Sequence, residues 1–394
     1  MAALPPVPSA LEAPHAGRVD LLVIAGEHSG DQHAARMVRE ALQAAPGLKV
    51  CAVGGPELKG AGAQLLFDLT DASVVGLIEV LKHYSYFKSL FERLLSWIAE
   101  YKPRAVCFVD YPGFNLRLAK ALNDRALAQK AGGPVRLLYY ISPQIWAWKQ
   151  KRRFTMARDL NALAVIFPFE VNCYADTDLD VAYVGHPFAE ADFVNPVRYS
   201  ESGDILLFPG SRPQAVGRIF PRMLGGFESL LRDDSAPRAT VLYPGERIRQ
   251  LMQSILAEAD PAVKATVTLR PREEGSSGSA VLTSSGTISL CCALAGIPGG
   301  IVYRAHPLTY RFGRLVAKVE YLGMANLLLN RTVYPEYIQK AARAPVLGAL
   351  LRDFLSDTTA PGRFGAVAKE LQHLLGEART LNASQWLLRQ LETA

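Results

Sequence analysis

Short apolar runs alternate with helix-type spacing along the first half of the chain. The strand-like runs cover residues 19–25, 50–53, 105–109, 135–140 and 163–167. After a turn at 26–31, apolar residues recur every three or four positions from Ala34 to Ala45, which predicts one face of a helix. Strands that alternate with helices predict βαβ units and a parallel sheet.

A second alternating series follows an interruption. The apolar pattern lapses at residues 192–204, where Pro, Ser and Gly collect, and this composition predicts a linker. Strand-like runs then resume at 205–208, 239–243, 263–269, 280–283 and 300–303. We therefore predict an α/β chain with two doubly wound domains, at 18–195 and 196–361, after a disordered tail at 1–17.

Composition narrows the class of protein. The chain has 394 residues, of which 49% are hydrophobic, so it can bury a large core and is neither disordered nor fibrous. The 43 Lys and Arg exceed the 37 Asp and Glu by six, a mild excess that allows an anionic partner without selecting one. The five cysteines form no C-x-x-C pair, which fits a reducing cytoplasm. We expect no signal peptide and no membrane-spanning segment.

Two strand ends in the first half carry residues suited to chemistry. The first turn contains two glycines, which permit close backbone approach, and an acid that can cap the next helix: Gly26, Glu27, Ser29, Gly30 and Asp31. An ordinary βα turn with a capping Asp is the alternative. Asp110 directly follows the run 105–109, so it is either a candidate general base or an N-cap.

Two strand ends in the second half suit an anion. One is the turn Pro209-Gly210-Ser211-Arg212, and the other is Ser284-Ser285-Gly286-Thr287. Each combines small residues with a following helix, and Arg212 adds a guanidinium group. Either turn alone could be a simple helix cap, but two in one domain favour a diphosphate ligand.

Aromatic and basic residues mix at two places. Residues 80–102 place Tyr84, Phe87, Lys88, Phe91 and Trp97 in or beside a helical stripe that either contacts an anionic membrane or faces the core. The run 146–153 could stack on nucleic acid, but without a binding motif we expect no nucleic-acid partner. No metal-ligand spacing and no G-x-S-x-G motif is present, so we expect neither a metal site nor a serine hydrolase.

In chain order these segments resemble the lipid-A-disaccharide synthases, bacterial glycosyltransferases of the GT-B fold. The matching segments are Ala25-Gly26-Glu27-x-Ser29-Gly30-Asp31, Gly76 to Leu81, Asp110-x-Pro112-x-Phe114-Asn115, Tyr140-Ile141-Ser142-Pro143 to Arg152, Phe167-Pro168-Phe169-Glu170, Gly185-His186-Pro187, Pro209-Gly210-Ser211-Arg212, Ser285-Gly286-Thr287, Tyr303-Arg304, Pro307-Leu308-Thr309 and Asn326-Leu327-Leu328 with Arg331, Glu336 and Gln339. The Ser-Pro-x-x-Trp-Ala-Trp run is the most specific of them.

The resemblance implies a fold, a reaction and a place. The fold would be two Rossmann-like domains facing across a cleft, with residues 362–394 returning to the first domain or exchanging in a homodimer. UDP-2,3-diacylglucosamine would donate its sugar to 2,3-diacylglucosamine 1-phosphate in lipid A (lipopolysaccharide) biosynthesis. The reaction would use no cofactor and would take place at the cytosolic face of the inner membrane. The resemblance therefore favours membrane contact for the stripe at 80–102, through Tyr84, Phe87, Lys88, Phe91 and Trp97.

The resemblance also implies roles for single residues. Asp110 would be the base, and Arg212 would contact the nucleotide phosphates. The expected UDP site comprises Gly210, Ser211, Arg212, Ser285, Gly286, Thr287, Asn326 and Arg331. The first turn, from Gly26 to Asp31, would form the acceptor loop.

The chain departs from the family pattern where the family usually has glutamates. Cys291 and Ala215 stand at two such positions. A thiol cannot replace a carboxylate that accepts two ribose hydroxyls, and such a loss costs about 1.5–3 kcal/mol. A divergent relative that binds acylated sugar or membrane with little turnover is therefore one alternative. A GT-B enzyme of other specificity, such as a UDP-GlcNAc transferase or epimerase, is the other.

Overall fold

The computed structural model describes residues 8, 10–70, 84–190, 192–232, 237–307, 310–311, 319–377 and 379–393, without the side chains of Tyr84 and Glu377. The chain divides into two compact units. The first comprises Met1–Pro187 with Ala378–Ala394, and the second comprises Phe188–Glu377. Each contains a parallel sheet, which confirms the predicted fold class.

The first unit is built on a seven-stranded sheet. Its strands are β1 Leu21–Ala25, β2 Val50–Gly54, β3 Gln64–Asp68, β4 Ala105–Val109, β5 Arg136–Tyr140, β6 Ala162–Val165 and β7 Asp180–Tyr183. They lie in the order β3-β2-β1-β4-β5-β6-β7, and every pair is parallel. The edge strands β3 and β7 are partly exposed and mix polar with apolar residues, which explains why the apolar pattern did not predict them.

Alternate residues of the central strands enter two separate cores, one on each face of the sheet. Leu22 and Ile24 of β1 join one cluster, while Leu21 and Val23 join the other. This alternation follows from the period of two along a strand. Because both faces are covered, the strands are continuous apolar runs, which is the signal that predicted them.

The second unit is built on a six-stranded parallel sheet. Its strands are β8 Val197–Phe208, β9 Ala239–Tyr243, β10 Val267–Pro271, β11 Ser276–Thr283, β12 Gly299–Tyr303 and β13 Glu336–Ile338. They lie in the order β10-β9-β8-β11-β12-β13. The predicted strand at 263–269 is wrong in its first half, because Asp260 accepts the N–H of Ala262 at 2.8 Å and starts a helix there.

Helices connect the strands in both units. Those of the first unit are α1 His28–Ala44, α2 Pro56–Gly60, α3 Tyr84–Tyr101, α4 Pro112–Asp124 and α5 Arg152–Asp159. Those of the second are α6 Pro213–Leu231, α7 Glu246–Ala257, α8 Pro261–Thr266, α9 Thr287–Leu294, α10 Met324–Leu329, α11 Ala344–Ser356 and α12 Ala360–Gln372. The last helix, α13 Ala383–Glu392, belongs to the first unit. Across the described residues we find no helix long and apolar enough to cross a bilayer.

The predicted domain boundaries need two corrections. The chain passes to the second unit at Phe188, and β8 already begins at Val197, so most of the predicted linker at 192–204 is strand. The first part of β8 contains exposed polar residues, so the apolar pattern did not predict a strand there. Helix α12 stays in the second unit, where the Phe364 ring lies 5.5 Å from that of Tyr334, so residues 362–377 do not return to the first domain.

The predicted disordered tail is wrong for its described second half. Leu11 is buried in the core of the first unit. Trp97 Nε1 donates to the carbonyl of Glu12 at 2.8 Å, and Gln64 Nε2 donates to that of Ala13 at 2.9 Å. An apolar anchor and two hydrogen bonds thus hold a segment whose Ala- and Pro-rich composition suggested disorder.

The aromatic stripe of α3 faces the protein core. Phe87 and Trp97 are buried in one of the two clusters of the first unit, and Phe91 packs against it. The prediction that Phe87 and Trp97 face a membrane is therefore wrong, because their rings are enclosed by protein. Lys88 is exposed, whereas the side chain of Tyr84 and the motif from Gly76 to Leu81 lie outside the described residues.

Helix α13 closes one face of the first unit. Trp386, Leu387 and Leu391 enter the same cluster as Val38 of α1. Arg136 Nη2 donates to Gln390 Oε1 at 2.6 Å, and the Gln390 amide donates to Asp180 at 2.8 Å. Helix α13 is thus part of the first unit and packs in the same core as α1.

We expect Trp386→Ala to lower the free energy of unfolding by about 3–5 kcal/mol, the usual cost of truncating a buried aromatic residue. Urea unfolding followed by circular dichroism measures this change. Arg389→Ala, an exposed position on the same helix, is the matched control and should change stability by less than about 0.5 kcal/mol. Equal small losses in both variants would contradict the placement of α13.

Candidate active site

Asp110 lies where the strand order of the first sheet reverses. The neighbouring strands β1 and β4 lead to opposite sides of the sheet, and their last residues, Ala25 and Val109, are paired in register. The segments that follow, Gly26–Glu27 and Asp110–Tyr111, therefore lie side by side. Ligands of open α/β sheets bind at this position.

The backbone at Asp110 is strained and firmly held. Asp110 and Tyr111 have φ angles of 46° and 49°, in the left-handed region that residues other than glycine rarely adopt. The Asp110 carbonyl oxygen accepts hydrogen bonds from Tyr139 Oη at 2.6 Å and from Asn115 Nδ2 at 2.8 Å. Strain of this kind persists only where the surroundings impose it and is concentrated at functional sites.

The environment of the Asp110 carboxyl group suits a general base. Burial, followed by the nearby negative charge of Glu27, raises its pKa to about 6, although a hydrogen bond from the Tyr111 backbone acts in the other direction. A carboxylate with a pKa this close to neutrality is ionised at pH 7 and still accepts a proton readily. The alternative that Asp110 is only a helix cap is not supported, because the cap position of α4 is Tyr111 and shows no side-chain cap.

Gly26 provides the space that Tyr111 occupies. A Cβ atom at Gly26 would lie 2.2 Å from Cδ1 of the Tyr111 ring. No side chain fits there without displacing the ring. The two strand ends are thus in direct contact, which explains the need for glycine in the first turn.

The five residues of the predicted acceptor loop separate into two groups. Glu27 and Ser29 are exposed at the start of α1, which begins at His28 rather than after Asp31. Gly26, Gly30 and Asp31 are buried.

The carboxylate of Asp31 accepts backbone N–H groups of Gly55, Glu57 and Leu58 at 2.8, 3.0 and 3.3 Å. It therefore stabilises the start of α2, and its prediction as an acceptor ligand or as a cap of α1 is corrected.

The two anion-type turns of the second unit meet at one sheet edge. Phe208 at the end of β8 is paired with Thr283 at the end of β11, and Ser284 N donates to the Phe208 carbonyl at 2.8 Å. A Cβ atom at Gly210, whose φ is 109°, would lie 3.3 Å from Ser284 Oγ. The helices that follow, α6 and α9, therefore begin beside each other, and both helix N-termini favour anions.

Most predicted nucleotide ligands occupy these turns. Ser211, Gly286 and Thr287 are exposed, and Ser285 is half-buried. Arg212 is exposed directly before α6 and forms no salt bridge with the described residues. Its guanidinium group is therefore free to pair with a phosphate.

Asn326 does not belong to this group. Its Nδ2 donates to the Tyr334 carbonyl at 2.7 Å and to Glu336 at 2.9 Å, while its Oδ1 accepts the N–H groups of Val333 and Tyr334 at 2.8 Å each. The amide is fully buried and has no donor or acceptor left for a nucleotide. The prediction that Asn326 lines the UDP site is thus corrected to a structural role.

Arg331 is paired elsewhere in the structure. Its two terminal nitrogens donate to both carboxylate oxygens of Glu370 on α12. The pair is half exposed, so replacing Glu370 by a phosphate would cost little free energy. Arg331 nevertheless differs from Arg212, which has no salt bridge to break with the described residues.

The two departures from the family pattern introduce no charge. Cys291 is buried in α9, and burial raises the pKa of its thiol to about 12, so it is neutral at pH 7. Ala215 lies in the first turn of α6, next to Gly210. No carboxylate therefore stands at either position, as the sequence indicated.

Tyr139 is a position that the sequence analysis missed. It holds the Asp110 carbonyl, and its only sequence signal was a phenol hydroxyl within a buried strand. Gln339, which the resemblance includes without a role, accepts the N–H of Ala305 at 2.9 Å and donates to the Ala305 carbonyl at 3.2 Å, which fixes the segment after β12. Such long-range contacts leave no local pattern.

Comparison with known proteins identifies the family. The family model described as lipid-A-disaccharide synthetase matches residues 21–385. A lipid-A-disaccharide synthase of Trichlorobacter lovleyi is 37% identical over 372 residues, covering 89% of this chain and 93% of that protein. One from Geobacter metallireducens is 36% identical, covering 86% of this chain and 88% of that protein.

Solved structures confirm the fold. A UDP-GlcNAc 2-epimerase from Neisseria meningitidis aligns with a TM-score of 0.58 at 11% identity, covering 95% of this chain and 99% of that chain. The spinosyn rhamnosyltransferase SpnG aligns with a TM-score of 0.54 at 14% identity, covering 95% of this chain and 100% of that chain. From the match over nearly its whole length, the chain belongs to the lipid-A-disaccharide synthase family, glycosyltransferases of the GT-B fold that act in lipid A biosynthesis.

Proposed function

We propose that the chain transfers the sugar of UDP-2,3-diacylglucosamine to the 6-hydroxyl of 2,3-diacylglucosamine 1-phosphate. Asp110 removes the hydroxyl proton as the oxygen attacks C1 of the donor sugar. The bond between C1 and the UDP oxygen breaks, and the configuration at C1 inverts. The products are the β-1,6-linked disaccharide 1-phosphate and UDP, with the proton on Asp110. UDP-sugar is a substrate here, and the proposal includes no cofactor.

One observation carries this proposal, namely the combination of strain and raised pKa at Asp110. Burial also raises the pKa of Glu170, a capping acid, to about 8, so a raised pKa alone does not mark a base. Asp110 differs because it combines the raised pKa with a left-handed backbone, and strain of that kind is concentrated at functional sites. The location supports the proposal as well, because the end of β4 borders the reversal of strand order. A base placed there can meet a bound hydroxyl group.

The paired turns of the second unit support a nucleotide diphosphate. The starts of α6 and α9 offer backbone N–H groups, and Arg212 offers a planar fork of donors. As UDP leaves, these groups stabilise the charge that develops on it. Arg212 is therefore the second catalytic residue of the proposal.

The proposed substrates carry acyl chains, so the reaction belongs at a membrane surface. We place the protein on the cytosolic face of the inner membrane, as a peripheral protein. A homodimer remains part of the proposal. Within one chain α13 already packs on its own first unit, so subunit exchange is not needed to complete that core.

We expect Asp110→Asn to reduce transfer by about 10²–10⁴, because an amide cannot accept the hydroxyl proton. Disaccharide and UDP are followed by mass spectrometry with both lipid substrates in detergent. UDP affinity, measured by calorimetry, should be unchanged, since its proposed ligands lie in the second unit. Wild-type turnover in the variant would show that Asp110 is not the base.

The rate should also depend on the pKa of Asp110. Only the ionised carboxylate accepts a proton, so kcat/KM should fall as the pH drops below about 6. Glu27→Gln removes a like charge, which lowers the pKa of Asp110 and moves this fall to lower pH. Glu57→Gln, an exposed control on α2, should leave the profile in place. An unmoved profile in Glu27→Gln would contradict the coupling.

We expect Arg212→Ala to weaken UDP binding by about 10- to 100-fold, the usual effect of losing a charged hydrogen-bond donor. Arg212→Lys should recover part of the loss because it keeps the charge but not the fork. Arg222→Ala on the exposed side of α6 is the matched control and should bind as the wild type does. Equal affinities for Arg212→Ala and the control would remove Arg212 from the site.

A further inference from the structure

Residues 144–158 form a cationic segment that the proposed chemistry does not use. The segment contains five basic residues and no Asp or Glu. Arg153 pairs with Asp176 at 2.6 Å, and Arg158 pairs with Asp159 at 2.7 Å. Lys149, Lys151 and Arg152 form no salt bridge with the described residues, so three positive charges stay uncompensated.

Two large aromatic side chains are exposed within the same segment. Trp148 is 46% exposed and Phe154 is 49% exposed, whereas most large apolar side chains of the first unit are buried. Lys149 Nζ lies 4.4 Å from the centre of the Trp148 ring, and the Arg152 guanidinium carbon lies 5.9 Å from it. We name Trp148, Lys149, Lys151, Arg152 and Phe154 the Trp148 patch.

The patch is held on a firm base. Ile145 before it and Met156 after it are both buried in the core. Arg153 is fixed to Asp176 by two hydrogen bonds of 2.6 Å each. The exposed rings are thus presented by a loop and the first turn of α5 that are anchored at both ends, so docking does not have to order this backbone.

Exposed indole and phenyl rings beside unpaired cations are suited to the surface of an anionic lipid bilayer. Tryptophan prefers the boundary between headgroups and acyl chains, and basic residues are attracted to anionic headgroups. Nucleic acid also attracts cations, but no two aromatic rings stack among the described contacts of this segment, where Trp146 meets Phe169 edge-on.

We propose that the Trp148 patch is the surface through which the protein docks on an anionic lipid bilayer. This inference rests on the proposed membrane-borne substrates and replaces the stripe of α3, in which the rings of Phe87 and Trp97 are buried. The lysines supply attraction that depends on salt, and the two rings enter the interfacial layer.

Binding to lipid vesicles tests the patch without turnover. The full-length protein is sedimented with phosphatidylcholine vesicles that contain roughly a third phosphatidylglycerol, and with pure phosphatidylcholine vesicles. We expect binding to the anionic vesicles only, weakened by added salt. Replacing Trp148 and Phe154 by Ser and Lys149 and Lys151 by Gln should weaken it by about 30-fold or more.

The matched control removes similar groups elsewhere. It combines Leu355→Ser with Lys59→Gln and Lys340→Gln, all exposed positions outside the patch, and should bind vesicles as the wild type does. Circular dichroism checks that both variants are folded. The patch variant should still turn over substrates dispersed in detergent, because this assay needs no docking on a bilayer. If the proposed sugar transfer itself is wrong, the wild-type protein will also show no turnover, so the two failures are distinguishable.

Three results would overturn the proposal. Equal vesicle binding by the patch variant and the wild type would assign docking to another surface. Absence of wild-type binding to anionic vesicles would remove the lipid partner. Displacement from the vesicles by millimolar inorganic phosphate, or by a single-stranded oligonucleotide at matched ionic strength, would identify the patch as a site for a phosphate group or for nucleic acid.

Discussion

Two hydrogen bonds to a single carbonyl oxygen, that of Asp110, maintain the geometry on which the proposed chemistry depends. Tyr139 and Asn115 are both donors to it. Asn115 Nδ2 also lies within 3.4 Å of the Ile24 carbonyl and within 3.3 Å of that of Val109, so it connects the ends of β1 and β4. A left-handed backbone at Asp110 persists only where its surroundings impose it, and these donors are part of those surroundings.

Asp110 differs from two other acidic residues of the chain in how many hydrogen bonds its carboxylate accepts. Asp31 accepts three backbone N–H groups, and Glu336 accepts those of Leu322 and Gly323 together with the Asn326 amide. Such carboxylates are fully engaged and stabilise helix starts. Asp110 instead is desolvated with one backbone donor, so its pKa rises and its proton affinity remains available for chemistry. Burial with few donors thus distinguishes Asp110 from Asp31 and Glu336. Burial also raises the pKa of Glu170, to about 8, but that capping acid lacks the left-handed backbone of Asp110.

The sequence predicted what local patterns encode. Buried parallel strands are continuous apolar runs, so both sheets and the turns at Asp110, Gly210 and Ser285 followed from spacing and strand ends. It failed where long-range contacts decide, as for the full engagement of Asn326. Periodicity alone also cannot tell what covers the α3 stripe, and the resemblance to enzymes with acylated substrates led to the assignment of Phe87 and Trp97 to a membrane, although both pack in the core.

The central claim concerns the charge of one carboxyl group, and a direct titration tests it. Carbon-13 NMR of protein labelled at aspartate carboxyl carbons, compared with the Asp110→Asn variant to assign the resonance, reports the pKa of Asp110 in the folded protein. The account predicts a midpoint of about 6. A midpoint near 4, the ordinary value of an exposed aspartate, would contradict it, because such a carboxylate is too weak a base for the assigned role.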